Sequence, residues 1–115
     1  MYADVKIGDK VVPMVASAAT KIHYKQLFKK DLIMLMNRAR SGNDEDIQEG
    51  ATDLVPELAY VMSVQAEKSG FADKNFNTFV EWLENFEPWE IEMAAAQIMA
   101  LYTVQQKSTS KPKNA

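Results

Sequence analysis

The chain has no cysteine, one histidine and four glycines in 115 residues, and each scarcity removes a class of chemistry. Without cysteine there are no disulfides, no thiolate nucleophile and no cysteine-based zinc site, and a reducing compartment fits. His23 stands alone, so no His/Cys constellation can serve a nucleophile or hold zinc tightly. It reads as a surface or hydrogen-bonded histidine rather than a catalytic one. Gly8, Gly42, Gly50 and Gly70 are isolated from one another, which leaves no phosphate-cradling loop. No apolar run approaches membrane-spanning length, and Asp4 and Asp9 interrupt the N-terminus where a signal peptide needs a long apolar core. The expectation is a soluble intracellular protein that is not an enzyme and takes no cofactor or metal.

What is present is an ordinary globular balance, 47% apolar and 25% charged with a net charge of -3, which argues against both disorder and general nucleic-acid binding. The length is that of one domain with little core to spare. The opening, YADVKIGDKVVPMVA, alternates apolar and polar residues on either side of Gly8-Asp9 and predicts a β-hairpin whose second strand, carrying Pro13, is an edge or ends early. From there the spacing is helical. Ser17 or Thr20 can cap a helix starting near Lys21, and no glycine or proline interrupts the chain to about Arg40. A second helix follows in LVPELAYVMSVQAEKSG, with Pro56 in its first turn and Gly70 as its stop. KNFNTFVEWLENF predicts a third. A fourth begins at Pro88, with Glu87, Glu90 and Glu92 suiting the positive end of the helix dipole, and runs to about Gln105. Tyr60, Phe79, Trp82, Leu83 and Phe86 are the expected aromatic and aliphatic core. The fold class is therefore mainly α (α+β), a short N-terminal β-hairpin followed by four or five packed helices. It occupies residues 1–106, with 107–115 (KSTSKPKNA) as a flexible tail that has nothing to bury.

The segment 21–40 does not fit one straight helix. At about 100° per residue, Tyr24, Leu27, Phe28, Leu32, Leu35 and Ala39 share a face with the charged Asp31 and Arg38, while Ile22 and Ile33 fall among polar residues. Two charges inside an apolar stripe predict two helices, or one kinked near Lys29 to Asp31, with Asp31 capping the second piece. The run KDLIMLM at 30–36 carries five consecutive apolar residues, more than one buried stripe uses. Leu32 and Leu35 are expected to pack inward. Ile33, with Met34 or Met36 beside it, and Ile22 on the first piece form the candidate partner or self-association surface; the alternative is that neighbouring helices enclose all five.

Other clusters have ordinary readings. Asp44, Glu45, Asp46 and Glu49 lack the ligand order of a calcium loop and read as a solvated acidic joint. Glu81 and Glu84 lie one helical turn apart and read as an exposed face. Lys21, Lys25, Lys29, Lys30, Arg38 and Arg40, with Tyr24 and Phe28 interleaved, could serve a nucleic-acid binder, but the acidic total favours a solvated face. Met34, Met36, Met62, Met93 and Met99 suit a core, and also a surface that must adapt to partners.

Taken in order, IHYKQLFKKDLIMLM, LAYVMSVQAEKSG and FVEWLENFEPWEI resemble the tail assembly chaperones of long-tailed bacteriophages and prophages of Gram-positive bacteria. Thr20, Tyr24, Lys25, Phe28, Asp31 and Leu32 occupy the places of that family's first helical stretch. Leu58, Ala59, Tyr60, Met62 and Gln65 match its Leu-Ala-Tyr-x-Met-x-x-Gln stretch, and Trp82, Leu83 and Phe86 its Trp-Leu-x-x-Phe. The resemblance spans residues 1 to about 106. Lys29 stands where many relatives have glycine and Lys21 where many have proline, which makes a milder kink the expectation here.

The resemblance implies a non-catalytic chaperone that binds the long, largely helical tape-measure protein and keeps it soluble until tail-tube subunits polymerise around it. It implies further that the protein works in the cytoplasm of the bacterial host, is absent from the mature virion, self-associates, and touches neither nucleic acid nor membrane. The major tail tube protein is a possible second partner. A generic helical interaction adaptor is the alternative reading, with a nucleic-acid-binding domain after it.

Overall fold

A computed structural model describes residues 2–41, 54–67 and 70–110. Strands β1 (Tyr2–Ile7) and β2 (Lys10–Val15) pair antiparallel from Tyr2 opposite Val15 to Ile7 opposite Lys10. Gly8 has φ 64° while Asp9 stays on the ordinary side, the arrangement of a two-residue hairpin turn with glycine first. A side chain at Gly8 would also run into the Glu90 carboxylate, which lies against the turn. Alternation decides the faces. Val5, Ile7 and Met14 point into the core, while Tyr2, Lys6 and Val11 face water. Pro13 sits opposite Asp4 within β2, tolerated because the two-stranded sheet asks nothing of its outer edge.

Six helices follow. Helix α1 is Thr20–Phe28 and α2 is Leu32–Ser41, so the segment 21–40 is two helices. The break is complete rather than mild. Lys29 takes the left-handed conformation, φ 61°, and donates its N–H to the Lys25 carbonyl. Asp31 then caps α2, its Oδ1 accepting from the Met34 N–H at 2.9 Å. A lysine in the left-handed region carries a steric penalty that glycine lacks. Lys29→Gly is expected to leave the fold intact and change stability by no worse than about zero, up to a gain of about 1 kcal/mol. A lower urea midpoint for this variant would contradict it.

The start of α1 departs from expectation. Ala19 is the N-cap and offers no side chain. Ser17 and Thr20 act one step earlier, where the Ser17 N–H donates to Thr20 Oγ1 and the Ala19 N–H to Ser17 Oγ. Gln65 closes the arrangement, accepting from the Thr20 hydroxyl at 2.7 Å and donating to Ser17 Oγ at 3.1 Å. Thr20 is thus fully buried, used for tertiary contact and not for capping.

Helix α3 (Val55–Glu67) is the hub. It touches β2, α1, α4, α5 and α6, and Leu58, Ala59, Val61 and Met62 have no exposed surface. A helix apolar on every side is stable only when surrounded. Helix α4 (Phe76–Leu83) starts with a full capping box, in which the Asn75 side chain accepts from the Thr78 N–H and the Thr78 hydroxyl accepts from the Asn75 N–H. The expected fourth helix is divided. Helix α5 is Glu90–Met93 and α6 is Ala95–Ser110, with Ala94 between them. Buried Ile91, Ala94, Ile98, Leu101 and Tyr102 keep helical spacing across that residue, so the division costs no core contact. Of the segment 107–115, residues 107–110 belong to α6 and 111–115 lie outside the described residues. The acidic residues 44–49 also lie outside them.

Candidate functional site

The first candidate surface is only partly at the surface. In α2, Leu32 and Met36 are buried, Ile33 and Leu35 are half-buried against the core, and Met34 is exposed. The inward pair is therefore Leu32 with Met36, four residues apart, and not Leu32 with Leu35. Met36 is removed from the candidate surface and Ile33 offers it only an edge. The break at Lys29 rotates α2 so that the i, i+4 pair meets the core. Met34 lies opposite that pair, and Ile22 stands out on α1 among exposed Lys21, Lys25, Gln26 and Lys29. Each is a single exposed apolar residue, which by itself is normal.

A larger apolar surface lies on α4 and α5, where periodicity alone had predicted core. Phe79 is buried, but Trp82, Leu83 and Phe86 are only half-buried. Eight residues are too few to present all three to the interior, because Phe79 takes the central direction and Trp82 and Leu83 fall to either side of it. Phe76 and Val80 continue the Leu83 side and are exposed. Trp89 and Met93, one turn apart about α5, are exposed at 56% and 80%. Helix α4 and the segment about α5 thus each leave two large apolar side chains in water.

Between the two helices runs an apolar groove of about 220 Å³, lined by Pro56, Leu83, Phe86, Pro88 and Ile91, with Glu87 and Glu92 beside them. Phe86 is held there by an aromatic chain that starts in the core. Tyr24 meets Phe28, Phe28 meets Phe79 edge-on at 4.9 Å, Phe79 meets Tyr60, Tyr60 meets Trp82, and Trp82 meets Phe86 at 5.0 Å. Lys10 Nζ lies 5.9 Å from the Phe86 ring centroid, on the hairpin side. Glu90 turns away from the groove. Its Oε1 accepts the Glu87 N–H at 3.0 Å and its carboxylate lies against the Gly8 turn. Hydrogen bonding to Asp4, then partial desolvation, raises the Tyr2 phenol pKa, and burial raises that of Tyr102. Neither phenol lines the groove.

His23 is half-buried. Its ring stacks on Phe71 at 4.0 Å and 10°, and its buried Nδ1 has no hydrogen-bond partner among the described residues. The contact is one of packing. The described residues contain no group of three or more His, Asp or Glu placed to hold a metal ion, and none of their helices is long and apolar enough to cross a membrane.

The motif residues that the sequence singled out are mostly structural. Tyr24, Leu58, Ala59, Tyr60 and Met62 are buried, and Gln65 holds the start of α1. The α4–α5 groove was missed because its walls come from three elements, and no single helical stripe contains them. The signal that could have found it is the exposed side of α4, where Phe76, Val80 and Leu83 follow one another at spacings of four and three. Comparison with protein-family models, with curated proteins and with solved structures returns no match for this chain.

Proposed function

We propose that the protein is a non-catalytic tail assembly chaperone that binds the helical tape-measure protein and keeps it soluble for tail-tube assembly. Two things support the reading: the ordered sequence resemblance, and the exposed apolar side chains of α4 and α5. The single observation that carries it is the exposure of Phe76 and Val80 on α4 and of Trp89 and Met93 about α5, the two helices that also wall an apolar groove. A client that is a long amphipathic helix offers the matching surface, since helix-in-groove recognition uses apolar anchors at helical spacing. Two of these four side chains are phenylalanine and methionine, large and in the second case pliant enough to meet varied client sequences. On this reading the protein acts in the host cytoplasm, before the virion is complete.

The test is co-expression with the tape-measure protein of the same genome. The wild-type chain is expected to move the tape-measure protein into the soluble fraction. The double variant Trp89→Ser, Met93→Ser is expected to melt within a few degrees of the wild type, because both side chains lie more than half in water, and to lose most of that rescue. A tape-measure protein that stays insoluble with the wild-type chain, or is rescued equally well by the double variant, would overturn the proposal.

A further inference from the structure

We infer that the α4–α5 groove takes an amphipathic helical segment of a partner chain whose apolar anchors are flanked by lysines or arginines. The groove's size comes first. About 220 Å³ is below the roughly 300–1,000 Å³ of small-molecule and cofactor sites, and suits one or two inserted side chains. Its lining is mostly apolar, Leu83, Phe86, Pro88, Ile91 and Pro56, with Glu87 and Glu92 beside them. The apolar band extends beyond the groove along α4 through Val80 to Phe76. That stretch of seven residues is about 10 Å long, two turns of an opposing helix.

Charge selects the flanks. From residue 75 to residue 106 the chain carries Glu81, Glu84, Glu87, Glu90 and Glu92 and no lysine or arginine. Glu90 is engaged at the hairpin turn. The other four are exposed, and among the described residues none forms an ion pair. Glu87 and Glu92 stand at the groove itself. Lys10 lies over the Phe86 ring on the hairpin side. Unpaired carboxylates bordering an apolar trough attract a cationic partner, disfavour an acidic one, and fix its register. The inference deepens the chaperone reading by naming the chemistry of the client segment, and it rests on that reading only in taking the partner to be a tape-measure helix.

Two synthetic helical peptides test it, each with the same leucine stripe at helical spacing, one flanked by lysines and the other by glutamates. Binding to the full chain is followed by fluorescence anisotropy at low and high ionic strength. The lysine peptide is expected to bind about tenfold or more tightly than the glutamate peptide at low salt, with the gap narrowing as salt rises. The surface variant Glu87→Lys, Glu92→Lys is expected to reverse the preference while melting as the wild type does. Phe86→Ala is expected to weaken both peptides. Equal affinity for the two peptides, or an unchanged preference in the charge-reversed variant, would overturn the inference, as would a charge-reversed variant that differs from wild type only in sedimentation, which would assign the carboxylates to contact between copies. If the peptides behave as stated and the tape-measure protein is still not rescued, the groove chemistry stands and the chaperone reading falls. Rescue without peptide discrimination has the opposite meaning.

Discussion

Phe79→Ala is expected to lower the unfolding free energy by about 3–5 kcal/mol, the range for removing a buried phenylalanine. The ring is 6% exposed and is the junction of the aromatic chain, touching Phe28, Tyr60 and Phe76. It joins three helices: α1 through Phe28, α3 through Tyr60 and its own α4. Deleting it opens a cavity that the rigid neighbours on α3 cannot fill, so the transfer loss and the cavity term add. Trp82→Ala supplies the comparison. Trp82 is the larger side chain but is only half-buried, and its neighbour Phe86, itself half-buried, can shift to cover the gap. Its replacement should cost about 1–2 kcal/mol, below the range for a fully buried aromatic residue. Urea denaturation of both variants checks the ranking. A greater loss from Trp82 than from Phe79 would mean that α4 is rotated from the orientation described.

Tyr24→Phe should cost about 1.5–3 kcal/mol, the range for a hydrogen bond to a charged group. The Tyr24 hydroxyl donates to Glu57 Oε1 at 2.6 Å, and both residues are buried. Lys30 Nζ pairs with the same carboxylate at 3.0 Å from the outer side. Removing the hydroxyl leaves a buried carboxylate with its lysine but without its inner donor, and the desolvation of the carboxylate is then incompletely offset. Lys30→Met should cost less, about 1 kcal/mol, because the lysine side chain is 40% exposed and its charge is partly screened by water. The combination Tyr24→Phe with Glu57→Leu should recover much of the first loss, since an apolar pair can replace a buried polar one nearly neutrally. Denaturant midpoints for these variants and for Glu57→Leu alone measure this. Losses that simply add in the double variant would show that the two side chains do not act on each other.

Much of the local structure was legible in the residues themselves. Gly8-Asp9 between alternating strands marks the hairpin, because a two-residue turn needs positive φ that glycine reaches without strain. The division of 21–40 was legible because Asp31 falls inside an apolar stripe, where only a cap explains it, and the structure has that cap. Helix α3 was recognisable from Pro56 at its first turn. The division at Ala94 was not, since no glycine, proline or charge marks it and the burial spacing runs straight through. The four-residue candidate surface fared unevenly. Ile22 and Met34 are exposed, Ile33 is half-covered and Met36 is buried, because a helical wheel gives relative directions within a helix but not the direction of its neighbours.

By itself, then, the sequence determined the Gly8-Asp9 turn, the break before α2 and its Asp31 cap, since those depend on φ preferences and hydrogen bonds between residues close along the chain. It also determined that residues 75–106 are acidic without a compensating base, which is a matter of composition. Only the tertiary structure decided which apolar residues of KDLIMLM face inward, that α3 is enclosed by five other elements, and that Trp82, Leu83 and Phe86 stop halfway to the core and form the edge of a groove. The reason is geometric. Burial is a relation between surfaces contributed by residues far apart in sequence, and in a domain this small there are too few helices to cover every apolar stripe, so some stripe must remain open.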